Sequence, residues 1–346
     1  MTDMKAMIRF SKCTHKTWAS SAITTLPLIA LKPLVQRQEA KTTPSSTISG
    51  VDYNTLTKTW SPKEEKRWDA YPDSNFDFFG YMPHSTEATL SKPSATESTY
   101  LLKIPFSMPT IINGTQSPIL AQKDLRKAPI ICAKPEHKGS TTAGGSDATF
   151  GRVVTFLFDQ TLTGYNLNFQ LDQKLNAIRH FRIKGVKIYG KGLATGGDVS
   201  RSYTWSNNEW TAKAIQWSNL NKVNITEENA IKLAKNSENP FTPGGNESMD
   251  IDDSKYHRWG TTFYAIADAS FVPTIAVTYD VILKDEKGET VTRKDVTSTI
   301  ILGNKYFETL NPAQTAAIYN INILIQPRYL YVLADQDAYT GHLLIQ

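Results

Sequence analysis

The sequence predicts an all-β protein of antiparallel Greek-key sandwiches, two in tandem, with one short helix. Three observations carry this. Apolar residues alternate with polar ones along most of the chain, the period of a strand with one buried face. Asn, Gly and Pro punctuate these runs at short intervals, as hairpins require. Helical periodicity long enough for repeated crossovers is missing, which argues against a parallel α/β sheet.

In chain order, Met7–Ser11 alternates briefly, Asn75–Tyr81 reads as an aromatic strand, and Thr99–Ile104 is a strand running up to Pro105. The stretch from Pro135 to Gly145 is polar and loop-like, and alternation resumes at Arg152–Phe158. This composition shift divides the chain into residues 1–149 and 150–346, each expected to pack as its own sandwich. In the second part Tyr165, Leu167, Phe169 and Leu171 share one face, and Arg182–Tyr189 follows as a strand. Ser206-Asn207-Asn208 between Tyr203–Trp205 and Glu209–Thr211 signals a tight hairpin, since asparagine tolerates positive φ. Thr274–Lys284 and Thr290–Leu302 form a longer hairpin around Gly288, and Ala316–Ile325 is the last long strand pattern. The one helix is expected at 226–235, where Thr226 precedes Glu227 and Glu228, and Ala230, Ile231 and Ala234 give a narrow apolar stripe.

Composition narrows the functional class. The 346 residues carry a net charge of +5, but basic residues sit beside acids, as in Lys63-Glu64-Glu65-Lys66-Arg67, so no nucleic-acid stripe forms. Apolar runs such as Leu26–Leu31, broken by Pro27, fall far short of the roughly 18 residues of a membrane-spanning helix. The start as given has no secretory signal pattern, and Lys12 before Cys13 breaks a lipobox. Cys13 and Cys132 read as two buried thiols in preference to a bridge.

Chemistry is largely absent from the motifs. Gly144-Gly145-Ser146-Asp147 and the glycines at 190, 192, 196 and 197 lack a phosphate-loop pattern and read as flexible loops. Asp250, Asp252 and Asp253 resemble a calcium loop without its central glycine, and the dispersed histidines form no metal motif. No serine stands in a nucleophile elbow. The reading is therefore of a non-enzyme with no cofactor and no metal. Two other readings fit the residues: a glycan-binding module in which Trp205 and Trp210 form an open platform, and a β-sandwich hydrolase with two carboxylates about 5 to 9.5 Å apart.

Several phrases together resemble the fimbrillin family, the type V pilus subunits of Gram-negative gut and oral anaerobes. They are Ile8-Arg9-Phe10-Ser11, the segment from Trp68 through Phe76 to Tyr81-Met82-Pro83, Gln122-Lys123-Asp124-Leu125, and Val154 to Thr163 with Gln160 where the family usually has histidine. The resemblance covers most of the chain. It implies two transthyretin-like sandwiches and export to the cell surface or outer membrane, often as a lipoprotein precursor. It also implies adhesion, and assembly with other pilus subunits by strand exchange after the first strand is cut away, with a host glycan or protein as a further class of partner. Carried onto this chain, the exchange residues are Ile8 and Phe10 of the leaving strand and Leu343, Leu344 and Ile345 of the entering one. Stalk members carry an arginine at the cleavage point, where this chain has Lys12 and Lys16.

Overall fold

A computed structural model describes residues 76–138, 156–235 and 247–301, each with short interruptions, and 318–326; before residue 76 it describes the backbone of short strands only. In chain order the strands used below are β1 (Lys5–Cys13), β2 (Leu28–Leu31), β3 (Phe76–Met82), β4 (Thr89–Ser91), β5 (Thr99–Ser107), β6 (Ile119–Ala121), β7 (Ile130–Cys132), β8 (Glu136–Lys138), β9 (Phe158–Gln160) and β10 (Thr163–Leu171). There follow β11 (Arg179–Ser206), β12 (Glu209–Ala212), β13 (Gln216–Ile225), β14 (Ile231–Leu233), β15 (Met249–Ile251), β16 (His257–Ala265), β17 (Val272–Asp285), β18 (Gly288–Ile301) and β19 (Ile318–Gln326). The fold is all-β and predominantly antiparallel, as the alternation predicts.

Among the described residues, three larger sheets and two main cores organise the fold. The largest sheet has the order β18-β17-β11-β5-β4, with β12, β13, β14 and β15 also pairing along β11. Its β18–β17 end and the first part of β11 face a second sheet, β1-β19-β10-β16-β6. Between them lies a core that includes Leu167, Phe169, Phe181, Ile188, Trp259 and Ile323. The remainder of β11, with β5 and β12, faces the third sheet, β9-β7-β3-β2, around Phe79, Tyr100, Ile131, Tyr203 and Trp210. The 28-residue β11 thus serves both cores.

This corrects the expectation of separate packing on either side of residue 150. β5 pairs with β11 from Thr99↔Thr204 to Ser107↔Gly196, β7 pairs with β9, and β6 pairs with β16. A sheet therefore runs across the loop-like stretch, and the two cores divide along β11. The glycines at 190, 192, 196 and 197, expected as flexible loops, are likewise inside that strand. β11 shifts register between Gly190 and Leu193 and around Gly196, and Gly192 has a φ of 67°. A Cβ at Gly196 would stand 2.7 Å from the Phe106 carbonyl oxygen, so side-chain-free positions let neighbouring backbones approach.

The helix expected at 226–235 is also corrected. Thr226 does accept from the Asn229 amide at 3.4 Å, but only a turn follows. Ile231 and Leu233 then bury as the two ends of β14 with Lys232 exposed between them, and all three pair with β11. Period 2 wins because β11 supplies a ladder that an isolated two-turn helix with few apolar residues lacks. The one α-helical turn among the described residues is α1, Gln173–Asn176, capped by Asp172, whose carboxylate accepts from the Lys174 amide at 3.0 Å. The 206–209 hairpin forms as expected, with Asn207 and Asn208 at φ of 52° and 59°. Of the strand expected at 152–158, residues 152–155 lie outside the described residues, and β9 begins at Phe158. Cys132 is a buried free thiol whose pKa burial pushes up.

Where β5, β11 and β13 meet, Asp198 accepts from Lys103 Nζ at 2.8 Å and from Asn219 Nδ2 at 2.7 Å, which together lower its pKa. A carboxylate depressed in the folded state contributes stability above its unfolded value, about 4, and loses that contribution as pH falls through the folded value. Asp198→Asn should therefore lower the urea midpoint at pH 7, with the difference from wild type shrinking below about pH 4. An equal difference at both pH values would show that the charge plays no part.

Candidate strand-exchange edge

The segment Ile318-Tyr-Asn-Ile-Asn-Ile-Leu-Ile325 dictates the site's geometry. Strict alternation sends Tyr319, Ile321, Ile323 and Ile325 into the core, each under a tenth exposed, and puts Asn320 and Asn322 on the opposite face. β19 lies parallel to β10, from Gly164↔Ile318 to Leu171↔Ile325. Its other side is taken by β1, antiparallel and in continuous register from Lys5↔Gln326 to Cys13↔Ile318. β1 is the last strand in that sheet's order, so the first strand of the chain closes an edge.

Directly opposed residues of an antiparallel pair share a face. Ile8 stands opposite Ile323, Phe10 opposite Ile321 and Arg9 opposite Asn322. The sheet differs from the expected one. β1 was expected to complete a sandwich of residues 1–149, whereas its neighbour is a strand beyond residue 300 and the sheet continues through β10 and β16. A long-range pairing of this kind leaves no local trace in sequence. Leu343, Leu344 and Ile345 lie outside the described residues.

Polar residues on the outer face of this sheet form a chain that the sequence reading missed. Arg258 donates to Thr262 Oγ1 at 2.8 Å, and Thr262 donates to Asn166 Oδ1 at 2.8 Å. Asn166 Nδ2 in turn donates to Asn320 Oδ1 at 2.8 Å, and a parallel rung joins Asn168 Nδ2 to Asn322 Oδ1 at 2.8 Å. Asn166 and Asn168 are buried. The signal was available as Asn-x-Asn in both Asn166-Leu-Asn168 and Asn320-Ile-Asn322, where i and i+2 share a face. Gly260, at a φ of 69°, sits within an irregularity of β16 that spaces Arg258 from Thr262. A Cβ there would meet the Ala234 carbonyl oxygen at 2.5 Å.

The tryptophans form a second cluster. Trp210 is 2% exposed, packs edge-on against Phe79 and Tyr100, and donates its indole N–H to Asp77 Oδ1 at 2.8 Å. The same Asp77 oxygen lies 2.8 Å from His137 Nδ1 on β8, and the His137 ring lies 4.5 Å from that of Trp205. Trp210 is thus core, and Trp205 has a histidine on one ring. The acidic positions are likewise engaged: Asp252 accepts from Ser254 and approaches His257 Nε2 at 3.0 Å, contacts that lower its pKa, and Asp250 pairs with Arg182 at 2.7 Å.

No family model matches this sequence, and no curated protein matches it. Solved structures do. A fimbrial protein from Bacteroides vulgatus ATCC 8482 is 15% identical with a TM-score of 0.47, over 87% of this chain and 91% of that one. A protein from Parabacteroides distasonis ATCC 8503, provisionally named a cell adhesion protein, is 8% identical with a TM-score of 0.40, over 94% and 100%. A similarly named protein from Bacteroides ovatus ATCC 8483 is 13% identical with a TM-score of 0.36, over 93% and 91%. All three scores lie below 0.5, so the functional reading stands on this chain's own residues and geometry.

Proposed function

We propose that this chain is a non-catalytic, exported cell-surface protein of fimbrillin type. In this reading it serves as a pilus subunit or accessory adhesin that joins its neighbours by β-strand exchange and is held at the outer membrane as a lipoprotein. The observation that carries the reading is the position of β1: first in the chain, at a sheet edge, paired along its whole length to β19. Taking β1 away leaves one full side of β19 without hydrogen-bond partners, beside a core of alternating isoleucines. Such an edge captures another strand, because each ladder hydrogen bond contributes about 0.5–1.5 kcal/mol net and apolar burial adds about 25 cal/mol per Å². The sequence phrases that resemble fimbrillins support the same role. The burial of Trp210 disfavours the glycan platform as the site of action.

Limited digestion with a lysine-specific protease tests this. Cutting after Lys12 or Lys16 and removing the strand peptide should yield detergent-resistant multimers on sizing, and deletion of residues 342–346 should abolish them. A clipped chain that stays monomeric without its first strand would overturn self-assembly.

A further inference from the structure

β18 is the last strand in the order of the largest sheet, so among the described residues one of its sides has no strand beside it. Its composition invites one. Thr290-Val291-Thr292 and Val296-Thr-Ser-Thr-Ile-Ile301 are β-branched but for one serine, and Thr297, Thr299 and Ile301 are exposed, Ile301 by 65%. A straight 14-residue edge of this kind is a template for pairing with another chain. The edge is not straight. Tyr279 stands opposite Val296, Val281 opposite Arg293 and Ile282 opposite Val291, so three steps along β17 correspond to five along β18. Two β18 residues are therefore extra, and they bulge out of the ladder.

Asp295 lies at the first of these irregularities, with a left-handed φ of 53° that aspartate and asparagine tolerate and β-branched residues do not. Side chains from two neighbouring strands hold it there. Its amide donates to Asp280 Oδ1 on β17 at 2.8 Å, and its carboxylate accepts from Lys184 Nζ on β11 at 2.6 Å. Lys184 Nζ also lies 3.7 Å from the buried Asp280 carboxylate, so one ammonium serves two acids. Lys184 stands where β11 shifts its own register against β17, between Ile183 and Gly185. A partner strand bonds through groups that repeat every second residue, so it can follow β18 on one side of the kink but not across it.

We infer that the outer edge of β18 is a latent interface between two copies of this chain, and that the kink at Asp295 keeps it closed. The edge is self-complementary beyond the kink. Thr297, Thr299 and Ile301 share a face, and an antiparallel pair centred on Thr299 sets Ile301 of each copy opposite Thr297 of the other. Because Lys184 takes up the Asp295 charge, the barrier is the bent backbone and not repulsion between carboxylates. The interface belongs to the intact chain and is independent of any exchange of β1.

The test compares intact, uncleaved chains carrying Asp295→Val, Asp295→Gly or Asp295→Asn by sedimentation over a range of concentrations, with urea unfolding to establish that each is folded. Glycine and asparagine accept the left-handed backbone and valine does not. Asp295→Val should therefore straighten the edge and double in mass as concentration rises, while Asp295→Gly and Asp295→Asn stay monomeric with the wild type. Deleting Thr292 and Asp295 together makes β17 and β18 equal in length between Tyr279 and Ile282, and should give the same association by a second route. Adding Thr299→Lys to either associating chain sets like charges opposite each other at the centre of the pair and should restore the monomer. Folded Asp295→Val and deletion chains that both remain monomeric would overturn the inference. Association of Asp295→Gly and Asp295→Asn to the same extent as Asp295→Val would overturn the role of the kink, and association that survives Thr299→Lys would overturn the assignment of the interface to β18.

Discussion

Trp210→Ala should destabilise the protein by about 3–5 kcal/mol, the range for truncating a buried Trp or Phe to alanine. Three losses combine at this position. The indole fills the centre of the second core, within 5.3 Å of the Phe79 ring and 5.7 Å of the Tyr100 ring, measured between centroids. It also lies 5.3 Å from Trp205, its directly opposed partner across the β11–β12 hairpin, so the hairpin loses its principal cross-strand pair. Its N–H is one of two groups on the same buried Asp77 oxygen, and a buried carboxylate deprived of a donor is costly. Trp210→Phe separates the terms: it keeps a ring while deleting the N–H, and should cost about 1.5–3 kcal/mol, the range for hydrogen bonds to charged groups. Urea unfolding at pH 7 measures both. A loss below about 1 kcal/mol for Trp210→Ala would mean that the second core does not depend on this ring, and would return Trp210 to the pool of ligand-facing residues.

The strands were legible from local composition and pattern. Thr99–Ser107 follows from alternation with one buried face, Phe76–Met82, buried on both faces, from its run of aromatic residues, and the 206–209 hairpin from two asparagines at positive φ, all local properties of the chain. Three features were not legible, each for a stated reason. Gly190, Gly192, Gly196 and Gly197 look like loop because glycine marks both flexible turns and close backbone approach, and only the position of the neighbouring carbonyls separates the two. The segment 226–235 has a helix's capping residue and acidic first turn, yet its two deepest apolar residues, Ile231 and Leu233, are spaced for a strand and find one in β11. The boundary at 150 fails because β5 and β11 are 72 residues apart between their nearest ends, from Ser107 to Arg179, and no local pattern encodes which distant strand will be a neighbour. At the candidate edge, the strand itself was readable from period 2 at Met7–Ser11, but its partner strand was not. The asparagine chain was visible as two Asn-x-Asn repeats that become meaningful only when β10 and β19 are known to run parallel and in register.

Holding β1 in place should have the largest effect on assembly, because exchange requires the edge of β19 to become vacant. Met7 and Leu324 are directly opposed across β1 and β19, so a disulfide between Met7→Cys and Leu324→Cys, in a Cys13→Ser background, would tie the strand to its partner. The measurement is detergent-resistant multimer formation after lysine-specific cleavage, compared in oxidised and reduced samples of this one variant. The account predicts that the oxidised, clipped protein stays monomeric and that reduction releases the strand and restores multimers. Multimers formed equally in both samples would contradict it, since assembly would then proceed with β1 still occupying its edge.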